Sequence, residues 1–218
     1  MKCFFCNKIM KRVNIGDTIK YKCRCGYWCI DFSKGTMNMK ILDLGCGKRK
    51  HSGAIGVDFN ANTDADVVHD LNNYPYPFDD NTFDKIYCSH ILEHLDNLVN
   101  AMNEIHRISK PNAMVIIRVP HFSQAGAWGN PTHRRAFALH TFSYFEEDSG
   151  EKYSDKYFKI KKIKLNYTMP FERHNLWKRI ATKIMNFLAN ANQWFCERVW
   201  CYWVGGFSEI YFELKVIK

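Results

Sequence analysis

The 218-residue sequence has no run of the roughly eighteen consecutive apolar residues that a membrane-spanning helix needs. Its start, Met1-Lys2-Cys3-Phe4-Phe5-Cys6, lacks a charged lead, an apolar stretch and a small-residue cleavage site, so a secretory signal is not expected. Together these absences place the expected location in the cytoplasm. Internal repeats and low-complexity segments are also missing. With 46% hydrophobic and 24% charged residues, disordered and fibrous classes are excluded. The length suits one medium α/β domain with a small appendage and is too short for two full catalytic domains.

What the chain does have is unevenly placed. The net charge of +9 divides into +7 over residues 1–40, −5 over 41–150 and +7 over 151–218. Basic flanks of this kind suit nucleic acid, anionic lipid or phosphorylated glycans, and equally a solvated lysine-rich surface. Four of the nine cysteines stand in the first 25 residues, as Cys3-x2-Cys6 and Cys23-x-Cys25. In a reducing compartment two such pairs suit a metal better than disulfides. Thiolates on two tight turns can share one tetrahedral zinc, with Val13 and Ile19 to Tyr21 as short strands between them. Residues 1–32 are therefore expected to form a zinc-ribbon-like module, with Cys29 a spare or substitute ligand for Cys25. Four sulfur ligands leave no open position, so such a zinc would be structural.

From residue 38 to 218 short apolar strands and helical patterns alternate. Strands are expected at Lys40–Leu44, Ala54–Asp58, Val67–Asp70, Phe83–Ser89, Ala113–Val119, Phe158–Leu165 and Phe207–Ile217, the last two as an antiparallel edge. Asp96–Ser109 puts Leu98, Ala101, Met102, Ile105 and Ile108 on one helical face, and Pro111-Asn112 reads as a turn. Only nine residues, 45 to 53, link the first two strands. A parallel crossover with its helix takes about ten to twelve or more, so the first helix is expected to be one turn or absent. The sheet face it leaves bare is expected to be covered by the ribbon or the long C-terminal helix.

Lys40-Ile-Leu-Asp-Leu-Gly-Cys-Gly47 is a strand running into a Gly-x-Gly turn, and Gly56-Val-Asp58 ends the next strand. Such glycines let backbone approach a ligand, and an acid after the second strand can hold two ribose hydroxyls. A dinucleotide fingerprint would need glycine at position 50, where Lys50 stands. Its acid would come about twenty residues on, whereas Asp58 follows Gly45 by thirteen. A nucleoside methyl donor fits better than NAD.

With ILDLGCG, GVDFN, VVHDL, YPFDDNTFDKIYCSHILEHL and EIHRISKPNAMVIIRVP together, residues 40–120 resemble a class I S-adenosylmethionine-dependent methyltransferase of the type 11 group. The resemblance implies a Rossmann-like seven-stranded sheet, mostly parallel with an antiparallel last strand. It places Asp43, Gly45 and Gly47 along the methionyl part of the cofactor and Asp58 on the ribose. Asp70 and Leu71 then meet the adenine, and Ser89 and His90 lie beside the sulfonium. Asp43 as a brace of the turn and Asp70 as a helix N-cap are the plainer alternatives.

Methyl transfer is an in-line displacement, so one base suffices beyond alignment and exclusion of water. His121, His133 and His94 are the candidates for it. Glu93-His94 also has a structural reading and a divalent-metal reading, the latter from a resemblance to quinone-type O-methyltransferases. Trp128, Arg134 and Arg135 suggest an acceptor with a planar or anionic group, unless the arginines pair with Glu146, Glu147 and Asp148. The stretch of about 174–204 is rich in tryptophan and phenylalanine with interspersed lysine and arginine. It is expected to form two helices, one on the sheet and one as a lid or dimer contact, or else a basic amphipathic face for a membrane surface.

The leading expectation is methylation of an O or N atom of a small-molecule, glycan or lipid-linked acceptor. RNA methylation is the rival enzyme reading, although no Asn-Pro-Pro-Tyr-type tetrad follows the fourth strand, where Cys88-Ser89-His90-Ile91 stands. A non-catalytic module that binds the donor is the third.

Overall fold

The computed structural model describes residues 39–151, 153–167 and 176–218, and the backbone of three strands in the N-terminal stretch. Two compact units divide the chain, Met1–Met39 and Lys40–Lys218. In the first, β1 (Lys11–Ile15), β2 (Thr18–Lys22) and β3 (Trp28–Ile30) form an antiparallel sheet in that order. Cys3, Cys6, Cys23 and Cys25, on which the zinc expectation rests, lie outside the described residues.

The second unit is built on a seven-stranded sheet in the order β6-β5-β4-β7-β8-β10-β9. The strands are β4 (Ile41–Leu44), β5 (Ala54–Asp58), β6 (Val67–Val68), β7 (Phe83–Ser89), β8 (Ser109–Pro120), β9 (Tyr157–Asn166) and β10 (Glu209–Ile217). The first five strands are mutually parallel, and β10 runs antiparallel to both β8 and β9. Only the last strand is thus reversed, and it lies inside the sheet, pairing with β9 as the expected antiparallel edge. Pro111-Asn112 is not a turn before the strand. It sits in β8, where the pairing with β7 jumps from Phe83↔Ser109 to Lys85↔Met114 and Asn112 takes φ +66°. The extra residues are accommodated as a bulge, which admits a proline because the ladder is already broken there.

Period-two alternation sets the two faces of the sheet. Leu42, Leu44, Val57, Ile86, Cys88, Val115, Ile117, Ile210, Phe212 and Leu214 point to one face and are buried. Helix α1 (Leu98–Ile108) is among the elements that cover it, capped by the Asn97 side chain on Asn100 N at 3.0 Å and burying Ala101, Met102, Ile105 and Ile108. Phe142, 4.8 Å edge-to-face from Phe212, adds to the same layer. The opposite face carries Lys85, Tyr87, Arg118, Tyr211, Glu213 and Lys215, all only half-buried.

The link from β4 to β5 contains no helix, as its length predicts. Two contacts stand in for one. His51 stacks on Tyr87 with centroids 3.8 Å apart, and Lys50 Nζ pairs with both oxygens of Asp66 at 2.7 and 2.8 Å across Gly56. A Cβ on Gly56 would stand 2.6 Å from Lys50 Cδ and 2.8 Å from Cys46 Sγ, which explains glycine there.

The C-terminal helix does not cover this face. Helix α3 (Leu176–Ala191) packs along β9, at the far edge of the sheet. Asn190 accepts from Leu165 N at 2.9 Å and donates to Leu165 O at 2.8 Å, while Gln193 Nε2 donates to Ile163 O. Side-chain amides thereby occupy the backbone groups of an edge strand that would otherwise template aggregation. Asn192, non-helical at φ −145° and ψ 81°, breaks the helix and caps the next helical segment on Phe195 N. Two helical pieces result, as expected, but the first packs on the sheet's edge.

Candidate cofactor and acceptor site

Strand order reverses about β4, with β5 on one side and β7 on the other, and ligands of open α/β sheets bind at such a point beyond the carboxyl ends. A cavity of about 640 Å³ lies there, lined by Gly45, Asp58, Phe59, Leu71, His90 and His94 among others. That volume falls within the range of small-molecule sites, roughly 300–1,000 Å³.

The turn after β4 is shaped by Gly45 and Gly47, both left-handed at φ +68° and +53°. A Cβ on Gly45 would meet Ile91 Cγ1 at 2.6 Å. Replacing Gly45 by alanine therefore combines a disfavoured backbone with a clash. A loss of about 2 kcal/mol in denaturant unfolding is expected. Asp58, buried at the end of β5, ties this turn down. One carboxylate oxygen accepts from Gly47 N and the other from Asn60 N, each at 3.0 Å. Each oxygen keeps acceptor capacity for a diol.

Of the eight residues expected on the cofactor, Gly45, Asp58, Asp70, Leu71 and His90 line the cavity. Asp43 is buried and holds His51 through the backbone N at 2.8 Å and Nδ1 at 2.9 Å, which is the geometry of a brace. Gly47 acts through Asp58, and Ser89 is half-buried beside His90. Phe59, His69, Asn72, Ile91, Leu95, Pro131 and Thr132 also line the cavity without having been singled out in the sequence. Phe59, 73% exposed directly after the acid of β5, is the one an adjacency argument could have found.

His90 sits at the carboxyl end of β7 in a left-handed conformation, φ +53°. Its Nε2 is 3.0 Å from Glu209 Oε2 and its Nδ1 3.3 Å from Glu93 Oε1. Burial opposes its charge, but the bonds to the two carboxylates win and push its pKa up to about 9. Glu209, fully buried on β10, also accepts from Arg118 Nε and Nη2 and from Asn166 Nδ2. Burial works against the Glu209 carboxylate, yet these donors hold it below the usual range. Cys46, in the turn itself, is pushed up to about 11 by burial and by Asp43 and Asp58, so its thiol stays protonated.

The three candidate bases separate. His94 lines the cavity, and His133 stands edge-to-face on it with centroids 4.8 Å apart. His121 does not line it. The ring is fully buried between Phe122 and Phe207, with Nδ1 2.6 Å from Ser123 Oγ and Nε2 3.4 Å from Glu197 Oε1. So enclosed, the ring braces the loop after β8 through Ser123. The arginines pair with Asp96, ahead of α1. Arg134 Nε lies 3.1 Å from Asp96 Oδ1, and Arg135 Nη2 donates to Asp96 O. Arg134 lines the cavity, whereas Trp128, in helix α2 (Ala125–Gly129), is exposed and donates to Phe122 O at 2.7 Å.

A sheet in this strand order, with a glycine turn after its first strand and an acid ending the second, has the Rossmann-like fold of class I methyltransferases. Residues 42–117 match the family described as Methyltransferase domain. A SAM-dependent methyltransferase from Archaeoglobus fulgidus superposes with a TM-score of 0.50 at 20% identity, over 81% of this chain and 86% of that one. A candidate methyltransferase from Bacillus halodurans C-125 reaches a TM-score of 0.54 at 12% identity, over 83% and 94%. In sequence the chain is 33% identical over 97 residues to an uncharacterised protein of Methanocaldococcus jannaschii. That alignment covers 36% of this chain and 40% of the relative, so less than half of the relative's length is spanned.

Proposed function

We propose that the chain is an S-adenosylmethionine-dependent methyltransferase acting on an O or N atom of a small-molecule, glycan or lipid-linked acceptor. The observation that carries this reading is the Asp58 carboxylate, anchored by Gly47 N and Asn60 N, at the rim of a cavity at the sheet's switch point. The residues fit the donor: an acid for the ribose hydroxyls, Leu71 as an apolar wall, and glycine where the backbone must come close. The donor supplies a methyl group activated on a sulfonium. What remains for the protein is to align the acceptor, exclude water and ease the loss of one proton. His94, in the cavity wall, with His133 edge-to-face behind it, is the group we assign to ease that loss. Calorimetry with the donor and with its demethylated product tests donor binding. Release of S-adenosylhomocysteine on adding acceptor then separates an enzyme from a binding module.

Among the acceptor classes, the surface favours a lipid-linked one. Among the described residues no helix is long and apolar enough to cross a membrane. Yet Trp177 (77%), Phe187 (75%), Trp203 (85%), Trp194, Tyr202 and Val204 are exposed along α3 and the segment after it. Basic residues interleave them, and the segment's one acid, Glu197, is buried. Aromatic and basic residues in this mixture suit a bilayer surface. Tyr202 packs 6.2 Å from Phe122, in the same loop that supplies Pro131, Thr132 and Arg134 to the cavity wall. Sedimentation with vesicles containing anionic lipid is expected to carry the protein down, less so at high salt. Replacing Trp203 and Phe187 together by alanine should weaken partitioning roughly tenfold or more. Protein that stays in the supernatant at every lipid composition would remove the lipid-linked acceptor.

A further inference from the structure

We infer that Glu197 couples the aromatic segment of residues 193–208 to the acceptor side of the cavity, so that contact of that segment with an anionic lipid surface steadies the loop of residues 121–139. The inference rests on the lipid-linked reading, since it needs the exposed aromatic side chains to meet a bilayer.

The loop is closed at its base and reaches the cavity further along. Phe122 N donates to Phe137 O at 2.8 Å, and His121 forms a parallel bridge with Phe137. Pro131, Thr132 and Arg134 belong to the cavity wall, and Arg134 N donates to Glu93 O at 2.7 Å. A shift at the base therefore travels to the wall through a short, internally bonded stretch.

The aromatic segment holds that base at two places. From its middle, Glu197 Oε1 accepts from Leu139 N at 2.6 Å and faces His121 Nε2 at 3.4 Å. From its end, Phe207 N donates to Ser123 Oγ at 3.0 Å, and a Cβ on Gly206 would stand 2.5 Å from Ser123 O. Ser123 N in turn donates to His121 Nδ1 at 3.2 Å, which leaves the ring's proton on Nε2, towards Glu197. Both sides of the base, at His121 to Ser123 and at Leu139, are thus fastened to the segment.

Trp194, Phe195, Tyr202 and Trp203 turn outward from the segment, whereas the Glu197 carboxylate is buried. Burial works against its charge, yet His121 and the Leu139 N–H hold it below the usual carboxylate range. An apolar side chain would anchor the segment without that desolvation cost. A carboxylate also fixes direction, because its hydrogen bond to Leu139 lasts only while turn and loop stay aligned. The turn that carries it, Cys196–Trp200, is π-helical, with Cys201 N donating to Cys196 O. Such turns are rare and occur frequently at functional sites. A segment ordered by lipid loses motions that the loop shares, and the loop is ordered with it.

Hydrogen–deuterium exchange of the full chain, with and without vesicles of phosphatidylcholine and phosphatidylglycerol in equal parts, tests the coupling. In wild type, vesicles should slow exchange across residues 121–139 about tenfold, within the usual range of coupling between sites, and leave β4 unchanged. Glu197→Ala should still sediment with the vesicles, because the side chain it loses is buried, and should lose the slowing. Glu197→Gln, which keeps an oxygen for Leu139 N, should retain a slowing of about threefold. A variant whose β8 and β10 amides exchange as in wild type has kept its fold, and the glutamine variant decides where alanine fails that check. If Glu197 only braced the structure, its loss would speed loop exchange by one factor in both conditions. That result, or vesicle-bound wild-type protein with an unslowed loop, would overturn the coupling alone. Wild-type protein that never sediments would overturn the lipid-linked reading and this inference with it.

Discussion

Asp58→Ala is expected to cut affinity for S-adenosylmethionine and S-adenosylhomocysteine by a factor of about a hundred to about twenty thousand. A carboxylate that accepts from two ribose hydroxyls makes two charge-assisted hydrogen bonds, each worth about 1.5–3 kcal/mol. The substitution also strands Gly47 N–H and Asn60 N–H, which the carboxylate now satisfies, and so loosens the turn that approaches the donor. Asp58→Asn keeps an oxygen for one of those donors and loses the charge, so its affinity should fall between the two. Calorimetric titration of all three proteins, each first shown to melt cooperatively, is the measurement. Wild-type affinity in Asp58→Ala would remove the ribose assignment, and with it the main support for a nucleoside donor.

Glu209→Ala should destabilise the second unit by about 3–5 kcal/mol. Removing one member of a buried charge network leaves its partners uncompensated, and here Arg118, His90 and Asn166 all lose an acceptor at once. The same network makes a pH prediction whose sign follows from the shifts. His90 is raised in the folded state to about 9. Its contribution is therefore complete below an unfolded pKa of about 6.5 and is lost as pH rises through 9, on the order of 3 kcal/mol in all. Glu209 is lowered, so its contribution is present above the ordinary carboxylate range and is lost on acidification. Denaturant midpoints should thus be highest between about pH 5 and 6.5 and decline towards pH 9.5. His90→Gln should flatten the alkaline limb. A wild-type midpoint constant from pH 6.5 to 9.5 would contradict the charged state of His90.

Much of the sheet is legible from local pattern. β4, β5, β7, β8 and β10 were each expected within a few residues, because runs such as Ile41-Leu-Asp-Leu44 and Ala113 to Val119 read directly as buried strands. The missing first helix was legible too, since nine residues cannot hold a crossover helix. What replaced it was not, because Lys50–Asp66 and His51–Tyr87 are pairings between separate stretches with no local signature. The same limit hid Glu209. It lies 119 residues from His90, and nothing around it in Phe207 to Ile217 sets it apart from a strand residue. The histidines show both outcomes. All three looked alike as loop residues near strand ends, and only packing distinguishes His121, enclosed by Phe122 and Phe207, from His94 at the cavity.

The clip over Gly56 has a consequence for how the donor loop is held. An α-helix behind the glycine turn would keep it in place through buried apolar packing, largely indifferent to dissolved ions. Here part of the fastening, beside the His51–Tyr87 stack, is a Lys50–Asp66 contact with side chains 26% and 48% open to water, and mobile counterions weaken such a contact directly. Saline concentration thereby becomes a dial on the stiffness of residues 45–53, turning donor affinity down in brine while the strands beneath stay unmoved.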